Sequence, residues 1–127
     1  MTGKEYQKLA MRTNDGKATE RLGHEVDNTI CGSYNDIGGI LNASLGLSGE
    51  VGELNDMIKK WIFHGHDLDI YHVQKEIGDI MWYVAMMCES FGLSLDGVMK
   101  ANIDKLEARY PEGFNTELSK NRKVGDF

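Results

Sequence analysis

The sequence predicts an all-α fold, an antiparallel bundle of about four main helices that associates with further copies of itself through helix faces. Three observations carry this prediction. Apolar residues recur at helical spacing, and no segment alternates with period two over a useful length. Proline occurs once in 127 residues, at Pro111, so little interrupts long helices. Capping residues stand where each apolar stripe begins. This length fills one domain, expected over residues 1–114, with 115–127 as a polar tail.

Thr2-x-x-Glu5 reads as a capping box that opens a short helix through about Arg12, with Tyr6, Leu9 and Ala10 on one face. The helix stops near Asn14-Asp15-Gly16. Residues 17–35 contain Gly23, Gly32 and few apolar positions, which predicts an irregular, insert-like loop with at most one short helical turn. Ser33-x-x-Asp36 then opens a long helix. Its apolar positions are Ile37, Ile40, Leu41, Leu47, Val51, Leu54, Ile58 and Ile62, and Gly65 supplies the stop. Asp67 or Asp69 caps the next helix, with a stripe of Ile70, Val73, Ile77, Ile80, Val84 and Cys88 that ends at Gly92. Ser94 caps the last main helix, with Leu95, Met99, Ile103, Leu106 and Tyr110 inward, and Pro111 prevents its continuation.

The segment from Ile80 to Cys88 is apolar on every side, and a helix apolar all round is buried all round. In so small a domain the flank bearing Trp82 and Met86 then needs cover from another subunit, which predicts a homodimer or a dimer of dimers.

Charge narrows the functions open to the chain. Fourteen Lys and Arg stand against 20 Asp and Glu, a formal net charge of −6, which argues against a nucleic-acid polymer as partner. No apolar run approaches the roughly 20 residues that span a bilayer, so no membrane partner is expected. The N-terminal MTGKEYQKLA lacks the apolar stretch of a signal peptide, and a cytoplasmic location is expected. Cys31 and Cys88 have no metal-like spacing and read as buried small apolar residues.

Two acidic tetrads carry the chemistry: Glu50-Val51-Gly52-Glu53 on the long helix and Glu76-Ile77-Gly78-Asp79 on the next. Each sets two carboxylates at i and i+3, on one helix face. With about 100° per residue, Glu50 and Glu53 fall about 60° and 120° to one side of a stripe centred on Leu47 and Leu54. Glu76 and Asp79 fall to the matching side of theirs. Neighbouring antiparallel helices then present four carboxylates to one cleft. Such a cluster repels itself unless cations compensate, and hard oxygen ligands without cysteine suit Mg²⁺ or Mn²⁺.

Gly39, Gly46 and Gly49 lie on the same flank with Asn42, and each mid-helix glycine costs about 1 kcal/mol relative to alanine. A row of small residues suits either a trough for a ligand or a close helix crossing. Lys60 lies further along that flank, placed either to contact a phosphate or to pair with a nearby acid. On the last main helix Asn102, Lys105 and Arg109 share one face, positioned to meet phosphate oxygens and a base or sugar, or to pair with acids.

At these residues the chain resembles the MazG-like all-α nucleoside triphosphate pyrophosphohydrolases, whose pattern is E-x-x-E, a spacer, then E-x-x-D. Here Glu50-x-x-Glu53 and Glu76-x-x-Asp79 are separated by 22 residues. The resemblance extends through Leu45-Gly46-Leu47-Ser48-Gly49, Asp79-Ile80-Met81-Trp82-Tyr83 and the block from Asn102 to Phe114. It implies Mg²⁺-dependent cleavage of a nucleoside triphosphate between its α and β phosphates, giving a monophosphate and pyrophosphate. It implies Glu50, Glu53, Glu76 and Asp79 as metal ligands, Lys105 and Arg109 facing phosphates, and Asn102 near the nucleotide. Phosphoryl-type displacement at a polyanion needs its charge neutralised, which cations and basic side chains supply. Water is the expected nucleophile and a member of the Glu50/Glu53 pair the general base.

Three alternatives bound this reading. A di-iron carboxylate protein needs Glu-x-x-His on two helices, and the chain offers only Asp69-x-x-His72. A phosphoribosyl-ATP pyrophosphohydrolase-like enzyme shares the superfamily and reaction type. A non-catalytic dimeric helical module would bind nucleotide without turnover.

Overall fold

The computed structural model describes residues 1–123 and Gly125, and among these every regular element is helical. The chain divides into two compact units, Met1–Phe91 and Gly92–Phe127. The division falls at the turn after Phe91, where Gly92 takes φ 66°. That left-handed conformation suits a residue without Cβ.

In the first unit α1 spans Gly3–Ala10 and continues as a 3-10 turn over Met11–Thr13. The capping box is present: the Glu5 N–H donates to Thr2 Oγ1 at 3.2 Å and the Thr2 N–H donates to Glu5 Oε2 at 2.6 Å. The stretch expected to be an irregular loop is a helix, α2, Ala18–Ile30. Leu22, Val26 and Ile30 recur four residues apart, one per turn, and Arg21 pairs with Asp15 at the helix start. Three large apolar residues in thirteen is too sparse a stripe to stand out against Gly23 and the charged positions around it. Cys31, expected buried, is exposed just past the end of α2, whereas Cys88 is buried.

The unit is built around α3, Ile37–His64, and α4, Ile70–Ser90. Gly65 at φ 69° ends α3, and Asp69 caps α4 by accepting from the backbone N–H of Tyr71 and His72. Asp36 stands at the α3 N-terminus without a side-chain cap. Its N–H donates to the Ser90 carbonyl at 2.8 Å, tying the start of α3 to the end of α4, and Thr29 Oγ1 accepts from Ile37 N–H at 3.1 Å. The facing pairs Gly39/Ser90, Gly46/Tyr83 and Glu50/Asp79 run in opposite order along the two helices, so α3 and α4 are antiparallel.

The face that α3 turns to α4 differs in part from the expected stripe. Gly39 and Ala43 are the buried residues of α3; of the expected stripe Ile37, Ile40, Leu47 and Leu54 are half-buried, whereas Leu41, Val51, Ile58 and Ile62 remain exposed. A Cβ on Gly39 would collide with Ser90 Oγ, and one on Gly46 with the Tyr83 ring. The absence of side chains there sets how closely the helices approach. Among the described residues the buried apolar ones are Ala43 and Cys88, and no large side chain is fully buried.

In the second unit α5 spans Leu95–Arg109 and α6 spans Thr116–Lys120. Ser94 Oγ accepts from Gly97 N–H at 3.2 Å, as its capping position predicts. The polar tail expected over 115–127 thus contains a short helix, capped by Asn115 through Leu118 N–H at 3.1 Å. Val124, Asp126 and Phe127 of that tail lie outside the described residues. Among the described residues no helix is long and apolar enough to cross a membrane.

Candidate active site

The carboxylates meet where α3 and α4 cross. Helical spacing sets Glu50 on the α4-facing side of α3, next to the glycine-lined approach, and antiparallel pairing brings it to Glu76 and Asp79. Each of these three offers an oxygen within 4.8 Å of the others. Glu76 is 6% exposed, Glu50 half-buried and Asp79 exposed. Burial and the fields of Glu53, Asp79 and Glu76 push the Glu50 carboxyl above its ordinary range.

Glu76 is the deepest member. His72, one turn earlier on α4, has Nε2 2.9 Å from Glu76 Oε1, whereas Oε2 is buried with no hydrogen-bond partner. A buried carboxylate oxygen without a donor carries a desolvation cost of about 1–3 kcal/mol or more. A cation at the cluster would remove that cost.

Beside the cluster lies a cleft of about 450 Å³, lined among others by Gly49, Gly52, Glu53, Lys60, His72 and Glu76. Cβ atoms built on Gly49 and Gly52 would meet nothing within 4 Å. The glycines therefore divide by role: Gly39 and Gly46 permit the crossing, and Gly49 and Gly52 leave the trough open.

The other expected site residues fall in three places. Glu53 lines the cleft beside the oxygen cluster formed by Glu50, Glu76 and Asp79. Lys60 lines it too, with Nζ 2.6 Å from Asp56 Oδ2, and this pairing with Lys60, then Lys59, lowers the Asp56 carboxyl below its usual range. Asn42 is aligned with Met86, whose sulfur accepts from its amide at 3.7 Å, and it does not line the cleft. Asn102, Lys105 and Arg109 belong to α5 of the second unit, where Lys105, Arg109 and Arg122 line a separate basic cleft of about 450 Å³. Arg109 also lies over the Tyr110 ring, 6.0 Å from its centroid. His72 and Asp56 are the cleft residues that sequence reasoning passed over. The His72-x-x-x-Glu76 spacing was the available signal for the first.

The donor set fits a hard divalent cation: all oxygen, anionic, convergent, with one buried oxygen unsatisfied. The family model of the MazG nucleotide pyrophosphohydrolase domain matches residues 40–114, which include all four acids. The chain belongs to this family. A MazG domain is thus all-helical here, with its two acidic tetrads on α3 and α4. Among curated proteins, this MazG chain is 33% identical over 96 residues to the Gene 37 protein of Mycobacterium phage L5, an alignment covering 72% of this chain and 83% of the phage protein. No solved structure matches it.

Proposed function

We propose that the protein is a Mg²⁺-dependent nucleoside triphosphate pyrophosphohydrolase that cleaves NTP or dNTP between the α and β phosphates, releasing a monophosphate and pyrophosphate in the cytoplasm. The observation that carries the reading is the convergence of Glu50, Glu76 and Asp79 within 4.8 Å beside an open trough, in a member of the MazG family. When bound there, Mg²⁺ or Mn²⁺ supplies neutralising charge to a polyphosphate.

The chain's own residues supply the rest. Glu50, Glu76 and Asp79 would hold the cation as principal ligands, with Glu53, the fourth acid of the family's set, a weaker ligand at the edge of the site. Glu53, at the cleft edge, accepts the proton of the attacking water, which forms a bond to phosphorus as the bond to the leaving pyrophosphate oxygen breaks. Gly49 and Gly52 admit the chain of phosphates. Lys105 and Arg109 neutralise phosphate oxygens and Asn102 contacts the nucleotide, a role supported by their shared face on α5 and the family's motif block. Lys60 in the cleft is a further phosphate contact once it exchanges Asp56 for substrate. Asn42 stands apart from the cleft, and its contact with Met86 supports a structural role over a substrate one.

The working unit is a homodimer or a dimer of dimers. Supporting this, no large side chain is fully buried among the described residues, and on the all-apolar stretch of α4 Trp82 is 58% exposed with Met81 at 63%, whereas Met86 of the expected flank is half-buried.

The test is incubation with a panel of ribo-, deoxyribo- and modified triphosphates with Mg²⁺, followed by product identification. Monophosphate plus pyrophosphate, abolished by EDTA, is expected. Release of inorganic phosphate with a diphosphate, or no turnover of any triphosphate, overturns the reading.

A further inference from the structure

We infer that His72 is a positioning residue that fixes the buried Glu76 carboxylate, so that one oxygen is held by the protein and the other is left for the cation. The inference rests on the metal-dependent reading above and adds to it a residue outside the four acids.

A glutamate carboxylate turns readily about its terminal bond, because that torsion is broad and roughly two-fold. Glu76 is also almost enclosed, at 6% exposure, so water does not restrain it. His72 Nε2 lies 2.9 Å from Oε1, while Oε2 is buried and, among the described residues, has no hydrogen-bond partner. With Oε1 engaged by His72, the lone pairs left for a cation are those of Oε2, the buried oxygen without a hydrogen-bond partner. His72 sits in the first turn of α4, where its backbone N–H donates to Asp69 Oδ1 at 3.3 Å, and its ring lines the cleft. One helical turn separates it from Glu76, the spacing that aligns two side chains on one face. Donors of this kind orient metal-binding carboxylates, and losing one costs about 10- to 100-fold in metal affinity.

The test is Mn²⁺ binding to the metal-free protein, read by titration calorimetry and by the electron spin resonance of free Mn²⁺. His72→Leu removes the donor, and His72→Gln restores one, since the glutamine amide nitrogen reaches about as far as imidazole Nε2. His72 is more than half exposed, so both variants are expected to fold, which thermal unfolding verifies. The expected result is weakening of about 10- to 100-fold for His72→Leu and near-complete recovery for His72→Gln. Nitrogen NMR of the wild type should find the proton on Nε2. Undiminished Mn²⁺ affinity in His72→Leu overturns the inference while leaving the metal site standing. So does a glutamine variant as weak as the leucine one, or an imidazole with its proton on Nδ1 alone. A wild-type protein that binds no Mn²⁺ overturns both readings.

Discussion

Gly46 and Tyr83 face each other across the α3–α4 crossing with no room for a Cβ on the glycine: an added methyl would overlap the tyrosine ring. Gly49 and Gly52, one and two turns further on, have nothing within 4 Å of the same position. These glycines therefore respond differently to alanine. Gly46→Ala is expected to destabilise by about 1–3 kcal/mol, as overpacked interiors do. Gly49→Ala and Gly52→Ala are expected to be neutral, or to stabilise by up to about 1 kcal/mol through helix propensity. Both narrow the trough, so their loss should appear as a raised KM for triphosphate. Urea unfolding with steady-state kinetics on the three variants separates the crossing from the trough.

Glu50 and Glu53 share a helix face but not a setting. Glu50 belongs to the oxygen cluster with Glu76 and Asp79, and Glu53 lies at the cleft edge. Glu53→Gln is expected to keep most Mn²⁺ affinity while lowering kcat by about 10²–10⁴-fold, the contribution of a positioned general base. Glu50→Gln and Asp79→Asn are expected to lose both metal binding and turnover. Calorimetry beside product assays reads the split. Equal loss of metal affinity in Glu53→Gln would reassign Glu53 from base to principal ligand.

The acids were legible because i,i+3 spacing on a helix fixes a shared face whatever surrounds it. The packing face of α3 was legible only in part. Large apolar residues mark a stripe by their hydrophobicity, and Ile37, Ile40, Leu47 and Leu54 of it are half-buried, yet the tightest approaches to α4 are at Gly39 and Gly46. Small residues bury little area and so signal weakly in sequence, although they control how near two helices come. Helix α2 was missed for a related reason: Leu22, Val26 and Ile30 form a sparse stripe, and each is still 40% or more exposed. His72 was passed over because its meaning depends on how deeply Glu76 is buried, and a helical wheel does not report depth.

Crowded carboxylates make the stability of the metal-free protein depend on pH in a predictable direction. Glu50 is pushed above its ordinary value of 4.5, first by burial and then by Glu53, Asp79 and Glu76. The folded state therefore holds this proton more tightly than the unfolded state does. Its contribution to stability is fully present below pH 4.5 and is lost as pH rises through the higher folded-state value. Glu50→Gln removes that loss, so the metal-free variant should melt higher than metal-free wild type at neutral pH, with the gap closing on acidification. Mg²⁺ should stabilise wild type most at neutral pH and progressively less below it, as protons compete for the same oxygens. Scanning calorimetry across pH with and without Mg²⁺ checks all three signs. A wild-type midpoint that does not change with Mg²⁺ at neutral pH would remove the cation from this cluster.

Apolar surface left uncovered within one chain predicts concentration-dependent stability. Covering a side chain such as Met81 on association is worth about 1.5–3 kcal/mol. Met81 and Trp82, at 63% and 58% exposure, are the surface such a contact would cover. Light scattering at micromolar concentration should give at least twice the 14.3 kDa of one chain. The unfolding midpoint should fall on dilution, because dissociation precedes or accompanies unfolding. Trp82→Arg places a charge in the contact and should lower both the scattering mass and the midpoint, and remove the dilution dependence. A wild-type mass of 14.3 kDa at these concentrations would mean that the exposed flank of α4 serves something other than a second copy.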